Sequence, residues 1–180
     1  MGDRANTSYW CYGALSGAGR GQGHCDWSVR INRTEILRLF ITGGFTGPAP
    51  TSRVYSLVDD SWEYMADMNT ARGWHACGYR DNKLYVMGGY SAASYLSSTE
   101  VLDLATGVWA AGPAPTYPAY DGRTVHYGGQ LYLFGGYGSD GMVVRLSEDG
   151  SSWEDVTQIN GNVTRPWTPT PVIRSDSVGC

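Results

Sequence analysis

Histidine and cysteine, the side chains best suited to bind a metal or activate a nucleophile, are few in this chain of 180 residues. They are His24, His75 and His126, with Cys11, Cys25, Cys77 and Cys180. No Cys-x-x-Cys pair occurs, and neither His24-Cys25 nor His75-Ala-Cys77 has partners at zinc-site intervals. A Ser-His-Asp site would need one of the three histidines. We therefore predict no catalytic residue, no metal site and no cofactor, and interpret His75 as a histidine packed in a strand.

A glycine-rich stretch near the start is the other candidate for chemistry. Residues 17–23 are Gly-Ala-Gly-Arg-Gly-Gln-Gly, which misses the phosphate-binding pattern Gly-x-Gly-x-x-Gly at its last position. No strand pattern precedes this stretch, although the dinucleotide-binding motif requires one. We therefore predict that residues 1–25 form a flexible, glycine-rich leader.

The overall charge excludes two classes of partner. The formal net charge is −4, and the 13 basic residues form no run, whereas phosphate-rich surfaces attract clustered Lys and Arg. No apolar stretch reaches the length of a membrane span. We expect no nucleic acid and no membrane partner. The first residues lack the apolar segment of a signal peptide, so we expect a cytoplasmic, intracellular protein, although sequons at Asn6, Asn32 and Asn162 leave a secreted parent protein open.

Three markers recur in phase along the chain and indicate an internal repeat. Glycine doublets close apolar runs at Gly43-Gly44, Gly88-Gly89 and Gly135-Gly136, with spacings of 45 and 47 residues. A tryptophan follows each doublet, at Trp62, Trp109 and Trp153, and a large apolar residue precedes each tryptophan by seven positions, at Tyr55, Leu102 and Leu146. Each apolar run is four residues long and is bounded by glycine, which favours a buried strand over a helix. The repeat therefore predicts an all-β fold with four strands per unit.

The doublet, the aromatic position after it and the phased tryptophan together resemble the kelch motif, in which each repeat makes one four-stranded blade of a β-propeller. The middle copy, from Met68-Asn69-Thr70-Ala71-Arg72 to Glu100-Val101-Leu102-Asp103, is most similar to the BTB–kelch (kelch-like) adaptor family. We predict three repeats at about 26–68, 69–113 and 114–162. Residues 163–180 would begin a truncated or degenerate further repeat. We interpret the three tryptophans as packing between blades, where an indole buries much apolar area.

The resemblance also implies a binding surface. In BTB–kelch propellers, the residues after the doublet and in the connections between blades line one mouth of the propeller and grip a partner peptide. The positions that match here are Phe45, Arg72, Tyr90, Ser91, Tyr117, Tyr137 and Arg165. Tyrosine and arginine are favoured anchors at interfaces, and Arg72 and Arg165 suggest an acidic protein or peptide ligand.

The function implied is non-enzymatic protein binding, with substrate recognition for a cullin-type ubiquitin ligase as its most specific form. The alternative is a carbohydrate-active kelch-fold enzyme, either a copper-radical oxidase or a sugar mutarotase. Three complete blades and a partial fourth make an incomplete ring, because propellers close with 4–8 blades. We therefore expect a fragment, or a chain that needs further blades or an oligomer to close the ring.

Overall fold

The computed structural model describes residues 10–12, 26–29, 38–46, 49–58, 61–137, 139 and 141–158. Fifteen strands lie in these ranges, and none of the described residues belongs to a helix that could cross a membrane. The strands are β1 Trp10–Tyr12, β2 Asp26–Val29, β3 Arg38–Thr42, β4 Phe45–Thr46, β5 Ala49–Pro50, β6 Val54–Val58, β7 Ser61–Tyr64, β8 Ala76–Arg80, β9 Lys83–Met87, β10 Thr99–Asp103, β11 Val108–Gly112, β12 Arg123–Tyr127, β13 Gln130–Phe134, β14 Met142–Leu146 and β15 Trp153–Gln158.

Apart from β4 and β5, the strands form three antiparallel sheets, which we call blades 1, 2 and 3. Blade 1 has the order β1-β2-β3-β6-β7, blade 2 the order β8-β9-β10-β11, and blade 3 the order β12-β13-β14-β15. The short strands β4 and β5 pair with each other in the loop between β3 and β6. The predicted all-β blade architecture is confirmed, with four strands in blades 2 and 3 and five in blade 1. Strands β2–β7, β8–β11 and β12–β15 lie within the three predicted repeats.

The first blade differs from the prediction at its start. Strand β1 lies inside the segment predicted as a flexible leader without strands, and it pairs antiparallel with β2. The prediction was wrong at these three residues, because an edge strand such as β2 offers unpaired main-chain groups to any neighbouring segment. The predicted further repeat at 163–180 lies outside the described residues, as do His24, the three sequons and the glycine-rich stretch.

The glycine doublets have a conformation that explains the repeat. The six doublet glycines have φ between +59° and +98°, a region that residues with a Cβ rarely adopt. A Cβ on Gly88 would lie 2.7 Å from the main-chain N of Ala119, in the connection from blade 2 to blade 3. The predicted close approach of neighbouring blades at the doublets is confirmed.

The apolar core lies between blades. Between blades 1 and 2, the buried side chains are Phe40, Val54, Met68, Cys77, Leu84, Val86 and Leu102. Between blades 2 and 3, they include Tyr85, Met87, Leu131, Leu133, Val144, Leu146 and Trp153. Blade 2 buries one face against blade 1 and the other against blade 3, so the described core lies only where blades meet.

Two of the three repeated tryptophans pack between blades as predicted. Trp109 packs at the core between blades 1 and 2, and Trp153 is buried between blades 2 and 3 with 7% exposure. Trp62 is 48% exposed, so the prediction was wrong for this residue. The reason is its position, because blade 1 has no preceding blade among the described residues.

The cost of crowding at the doublets can be separated from the cost of their backbone conformation. Gly107 has a φ of +71°, close to the +62° of Gly88, but nothing lies within 4 Å of a Cβ added there. Gly107→Ala should therefore lower the free energy of unfolding by about 1–2 kcal/mol for the left-handed conformation alone. Gly88→Ala should cost roughly 1–3 kcal/mol more, as overpacking typically does. Urea denaturation measures both, and equal losses would show that close approach of the blades does not require Gly88.

Candidate functional site

Six aromatic side chains gather where the doublets end, and we call them the aromatic patch. Phe45, Tyr90 and Tyr137 each follow a doublet directly, Trp74 and Tyr120 lie in connections between blades, and Tyr95 lies in the loop between β9 and β10. All three blades thus contribute to one surface.

The rings of the patch form a continuous series of contacts. Phe45 and Trp74 have ring centroids 4.3 Å apart, and Trp74 lies 5.5 Å from Tyr120. Tyr95 contacts Tyr120 edge to face at 5.0 Å and stacks on Tyr137 at 5.6 Å with an interplanar angle of 25°. Such offset and edge-to-face arrangements are the favoured geometries of aromatic pairs, so the rings support one another.

Main-chain hydrogen bonds fix the residues that carry these rings. The amide of Tyr90 donates to the carbonyl of Gly73 at 2.8 Å, and the amide of Tyr137 donates to the carbonyl of Tyr120 at 2.8 Å. Tyr90 also forms an isolated bridge with Tyr95. Each of the first two contacts joins the residue after a doublet to the connection leading into its blade. The patch is therefore built on the framework of the blades.

Exposure divides the patch into a base and a surface. Phe45 is buried at its base, Trp74, Tyr90 and Tyr120 are partly buried, and Tyr95 and Tyr137 are 53% and 51% exposed. The outer tyrosines present flat apolar area together with hydroxyl groups that donate and accept hydrogen bonds. These properties suit the recognition of another molecule.

The structure brings together only some of the predicted site residues. Tyr90 and Tyr137 lie in the patch, and Ser91 is next to Tyr90, where its hydroxyl accepts the amides of Ala93 and Ser94 within the loop. Sequence reasoning missed Trp74, Tyr95 and Tyr120. The bridges place Tyr120 at the position of Gly73 in the preceding connection, whereas Tyr95 lies in a loop for which the repeat gives no signal. Arg165 lies outside the described residues.

Arg72 was predicted at the mouth, but its side chain is buried with 0% exposure. Its guanidinium forms an ion pair of 2.7 Å with Glu100 and donates to the carbonyls of Gly88 and Ser98, both at 3.0 Å. The carboxylate of Glu100 also accepts the amides of Asn69 and Thr70. Arg72 therefore joins the connection between blades 1 and 2 to blade 2, and its side chain lies inside the structure instead of at the predicted mouth. Burial lowers the pKa of Arg72, while the ion pair with Glu100 opposes that shift.

Phe45 and Tyr117 were also predicted at the mouth, and both are buried. Phe45 lies so close to Gly73 that a Cβ there would overlap its ring. Tyr117 belongs to the core between blades 2 and 3, and burial raises the pKa of its hydroxyl. Although both residues lie in segments that connect the main strands, their rings are buried because apolar packing favours burial over exposure to water. Both side chains thus lie inside the structure instead of at the predicted mouth.

His75 is buried between blades 1 and 2. Its Nε2 shares a hydrogen bond of 2.7 Å with the hydroxyl of Thr42. Burial, with a smaller contribution from the charge of Arg72, lowers its pKa from 6.5 to about 3. Within the described ranges, no group of three or more His, Cys, Asp or Glu residues could hold a metal ion. The geometry of His75 is that of a packed, neutral histidine.

Breaking the buried ion pair should destabilise the fold. Arg72→Met leaves the carboxylate of Glu100 buried without its cation, and removing one partner of a buried pair typically costs about 3–5 kcal/mol. The double variant Arg72→Met, Glu100→Gln should recover part of this loss, because glutamine carries no charge and still accepts a main-chain amide. The midpoint of urea denaturation measures both effects. Unchanged stability in Arg72→Met would contradict the structural role.

The buried histidine should make stability depend on pH. In the unfolded chain a histidine binds a proton near pH 6.5, whereas folded His75 stays neutral down to about pH 3. The unfolded state therefore binds more protons between these values, and stability falls as the pH decreases below 6.5. His75→Gln should show a shallower decrease in melting temperature between pH 7.5 and 5. A slope remains, because burial also lowers the pKa of His126. Equal slopes for both proteins would contradict this prediction.

Comparisons with known proteins agree with the geometry. The kelch motif model matches residues 72–116, which is most of the middle repeat. Human Kelch-like protein 33 is 34% identical over 83 residues, covering 46% of this chain and 16% of that protein. Alpha-scruin of Limulus polyphemus is 30% identical over 108 residues, covering 54% and 12%. A putative F-box/kelch-repeat protein of Arabidopsis thaliana is 28% identical over 102 residues, covering 54% and 26%.

The chain thus spans about a quarter or less of each of these curated relatives. Among solved structures, that of YjhT superposes with a TM-score of 0.57 at 15% identity, covering 68% of this chain and 49% of that one. This likeness bears on the fold alone. The matched motif, the relatives and the three blades together identify kelch repeats that form blades of a β-propeller in this chain, with similarity to kelch-like proteins.

Proposed function

We propose that this chain is a protein-binding module that holds a partner segment on its aromatic patch. The observation that carries the proposal is the exposed pair of stacked rings, Tyr95 and Tyr137, mounted on a buried aromatic base. Tyrosine and tryptophan are enriched in the core of protein interfaces, because their rigid rings bury large area at a low cost in side-chain entropy. The kelch-like and kelch-repeat relatives support the same class of function.

The charge of the partner depends on which groups line the patch. The expectation of an acidic peptide rested on Arg72 and Arg165, and Arg72 is buried in its ion pair. Arg123, close in sequence to Tyr120, is also buried and pairs with Asp121 at 3.0 Å. The exposed rings are neutral and attract cations over their faces, and the chain carries a net charge of −4. These features favour a partner segment with apolar and basic side chains over an acidic one.

The more specific role that we propose is substrate recognition for a cullin-type ubiquitin ligase. Its support is the resemblance of the middle repeat to the BTB–kelch family and the presence of F-box/kelch-repeat proteins among the relatives. In such a role the aromatic patch would select the protein to be modified. Co-precipitation of a cullin with the protein from cells would support this role.

The proposal describes a binding module without catalytic activity, and it competes with the carbohydrate-active alternative. A copper-radical oxidase would need a metal held by tyrosine and histidine ligands. His75, the buried histidine next to β8, hydrogen-bonds Thr42. Stoichiometric copper in the purified protein would therefore overturn the proposed function.

Replacing an exposed ring of the patch should weaken binding without weakening the fold. Peptides selected on the chain from a displayed random library would serve as the probe. Tyr95→Ala removes the ring that joins Tyr120 to Tyr137, and loss of such an anchor typically costs about 2 kcal/mol of binding free energy. The dissociation constant of a selected peptide should therefore rise more than about tenfold. Fluorescence anisotropy measures the constant, and the melting temperature should stay nearly unchanged.

Tyr127 provides the matched control. It is 60% exposed and lies at the end of β12 that pairs with the start of β13, away from the doublet that closes β13. Tyr127→Ala should leave peptide binding intact. Equal effects of the two substitutions, or selection of no peptide at all, would contradict the assignment of the patch. The residues enriched in the selected peptides report directly on the charge of the partner.

A further inference from the structure

Blades 1 and 3 each have one face without a neighbouring blade among the described residues. We call the face turned to the preceding blade incoming and the face turned to the following blade outgoing. The incoming faces of blades 2 and 3 and the outgoing faces of blades 1 and 2 form the two described cores. The incoming face of blade 1 and the outgoing face of blade 3 remain.

The repeated tryptophan shows how an incoming face is held. The indole N–H of Trp109 donates to the carbonyl of Ala66 at 2.8 Å, and that of Trp153 donates to the carbonyl of Pro113 at 3.0 Å. Each acceptor follows the tryptophan of the preceding blade by four residues. Trp62 occupies the same position in blade 1 and is 48% exposed. A partner that packs on Trp62 in the same way must therefore present a main-chain carbonyl to its indole N–H.

Other side chains of the incoming face show the same contrast. In blades 2 and 3, Leu102 and Leu146 have 0% exposure, as do Val86 and Leu133. The residues at the corresponding positions of blade 1 are Tyr55 and Ile41, and both are only partly buried. Tyr64, whose ring contacts Tyr55 edge to face at 5.6 Å, is 58% exposed. The face has the composition of a buried interface, and much of it is open.

The outgoing face of blade 3 carries the side chains that a following blade would cover. Tyr132 occupies the position that Phe40 and Tyr85 occupy in blades 1 and 2, where both are buried in the cores. Tyr132 is only partly buried. Four residues after Trp153 is Thr157, near the end of β15, where a bulge between Val143 and Val144 shifts the pairing. By analogy with Ala66 and Pro113, this end of β15 would supply the carbonyl that accepts the indole N–H of a tryptophan in a following blade.

We propose that a second copy of this chain covers these faces, with blade 1 of each copy docked on blade 3 of the other. The contact continues an interface that the chain already forms twice, and both of its halves belong to one chain. Because the two surfaces differ, the contact is heterologous and must either close into a ring or continue as a filament. Two copies of the three described blades give six, within the 4–8 of closed propellers.

The mass of the whole chain in solution tests this proposal. Sedimentation velocity should show one species with twice the mass of a single chain, and dilution should separate it without larger species. Trp62→Arg should raise the dissociation constant at least about tenfold, whereas Val108→Arg should not, although Val108 is 61% exposed on blade 2. A monomeric wild-type chain, a series of species growing with concentration, or a dimer insensitive to Trp62→Arg would each overturn the proposal.

A mixing experiment distinguishes a weakened contact between chains from misfolding of the variants. Tyr132→Arg alters the opposite face and should also weaken the dimer. When the two variants are mixed, one of the two contacts in a mixed pair joins unaltered surfaces. Mixed pairs should therefore form more tightly than either variant does alone. Failure of the mixture to associate beyond the separate variants would overturn the proposed pairing of faces.

Discussion

Each blade has two apolar faces and can bury neither of them without a neighbour. A four-stranded sheet alone exposes too much apolar surface to be stable in water, so stability in such repeats is shared between units. The described core follows this constraint, because its clusters lie between blades 1 and 2 and between blades 2 and 3. Trp62 and Trp153 occupy equivalent positions in their blades. Trp153 is buried because blade 2 packs against it, and Trp62 is exposed because no described blade precedes blade 1.

The two interfaces between blades have different side chains at one equivalent buried site. Between blades 1 and 2, Arg72 pairs with Glu100 in a buried site. The bridges and strand registers place Ala119 and Val144 at the corresponding positions between blades 2 and 3, and both have 0% exposure. Buried ion pairs can often be replaced by apolar residues with little loss of stability. Arg80 supplies polar contacts at the second interface, where it donates to the carbonyls of Ser147 and Glu148, both at 2.8 Å.

The sequence predicted the blades from the features that repeat, and it failed where the outcome depends on a neighbouring blade, as at Trp62, or on a contact distant in sequence. The doublets and the spacing of Trp109 and Trp153 identified the blades, because every copy needs the same close approach and the same packing. The burial of Arg72 was not predictable from its loop, since its partner Glu100 lies 28 residues further along the chain. Tyr95 was missed because its loop has no equivalent in the repeat, and β1 because three residues of strand leave no periodic signal. Tyr90 and Tyr137 were found because they follow the doublets.

The geometry of the aromatic patch is set by the interfaces between blades. The doublet turns the chain with two positive φ angles and places the next residue, Tyr90 or Tyr137, against the connection from the preceding blade. A Cβ on Gly89 would lie 2.6 Å from the carbonyl of Gly73, the group that accepts the amide of Tyr90. The contact that closes two blades is therefore also the contact that positions a ring of the patch. Because the stacked pair of Tyr95 and Tyr137 joins loops of different blades, a partner that binds both rings also holds blades 2 and 3 together.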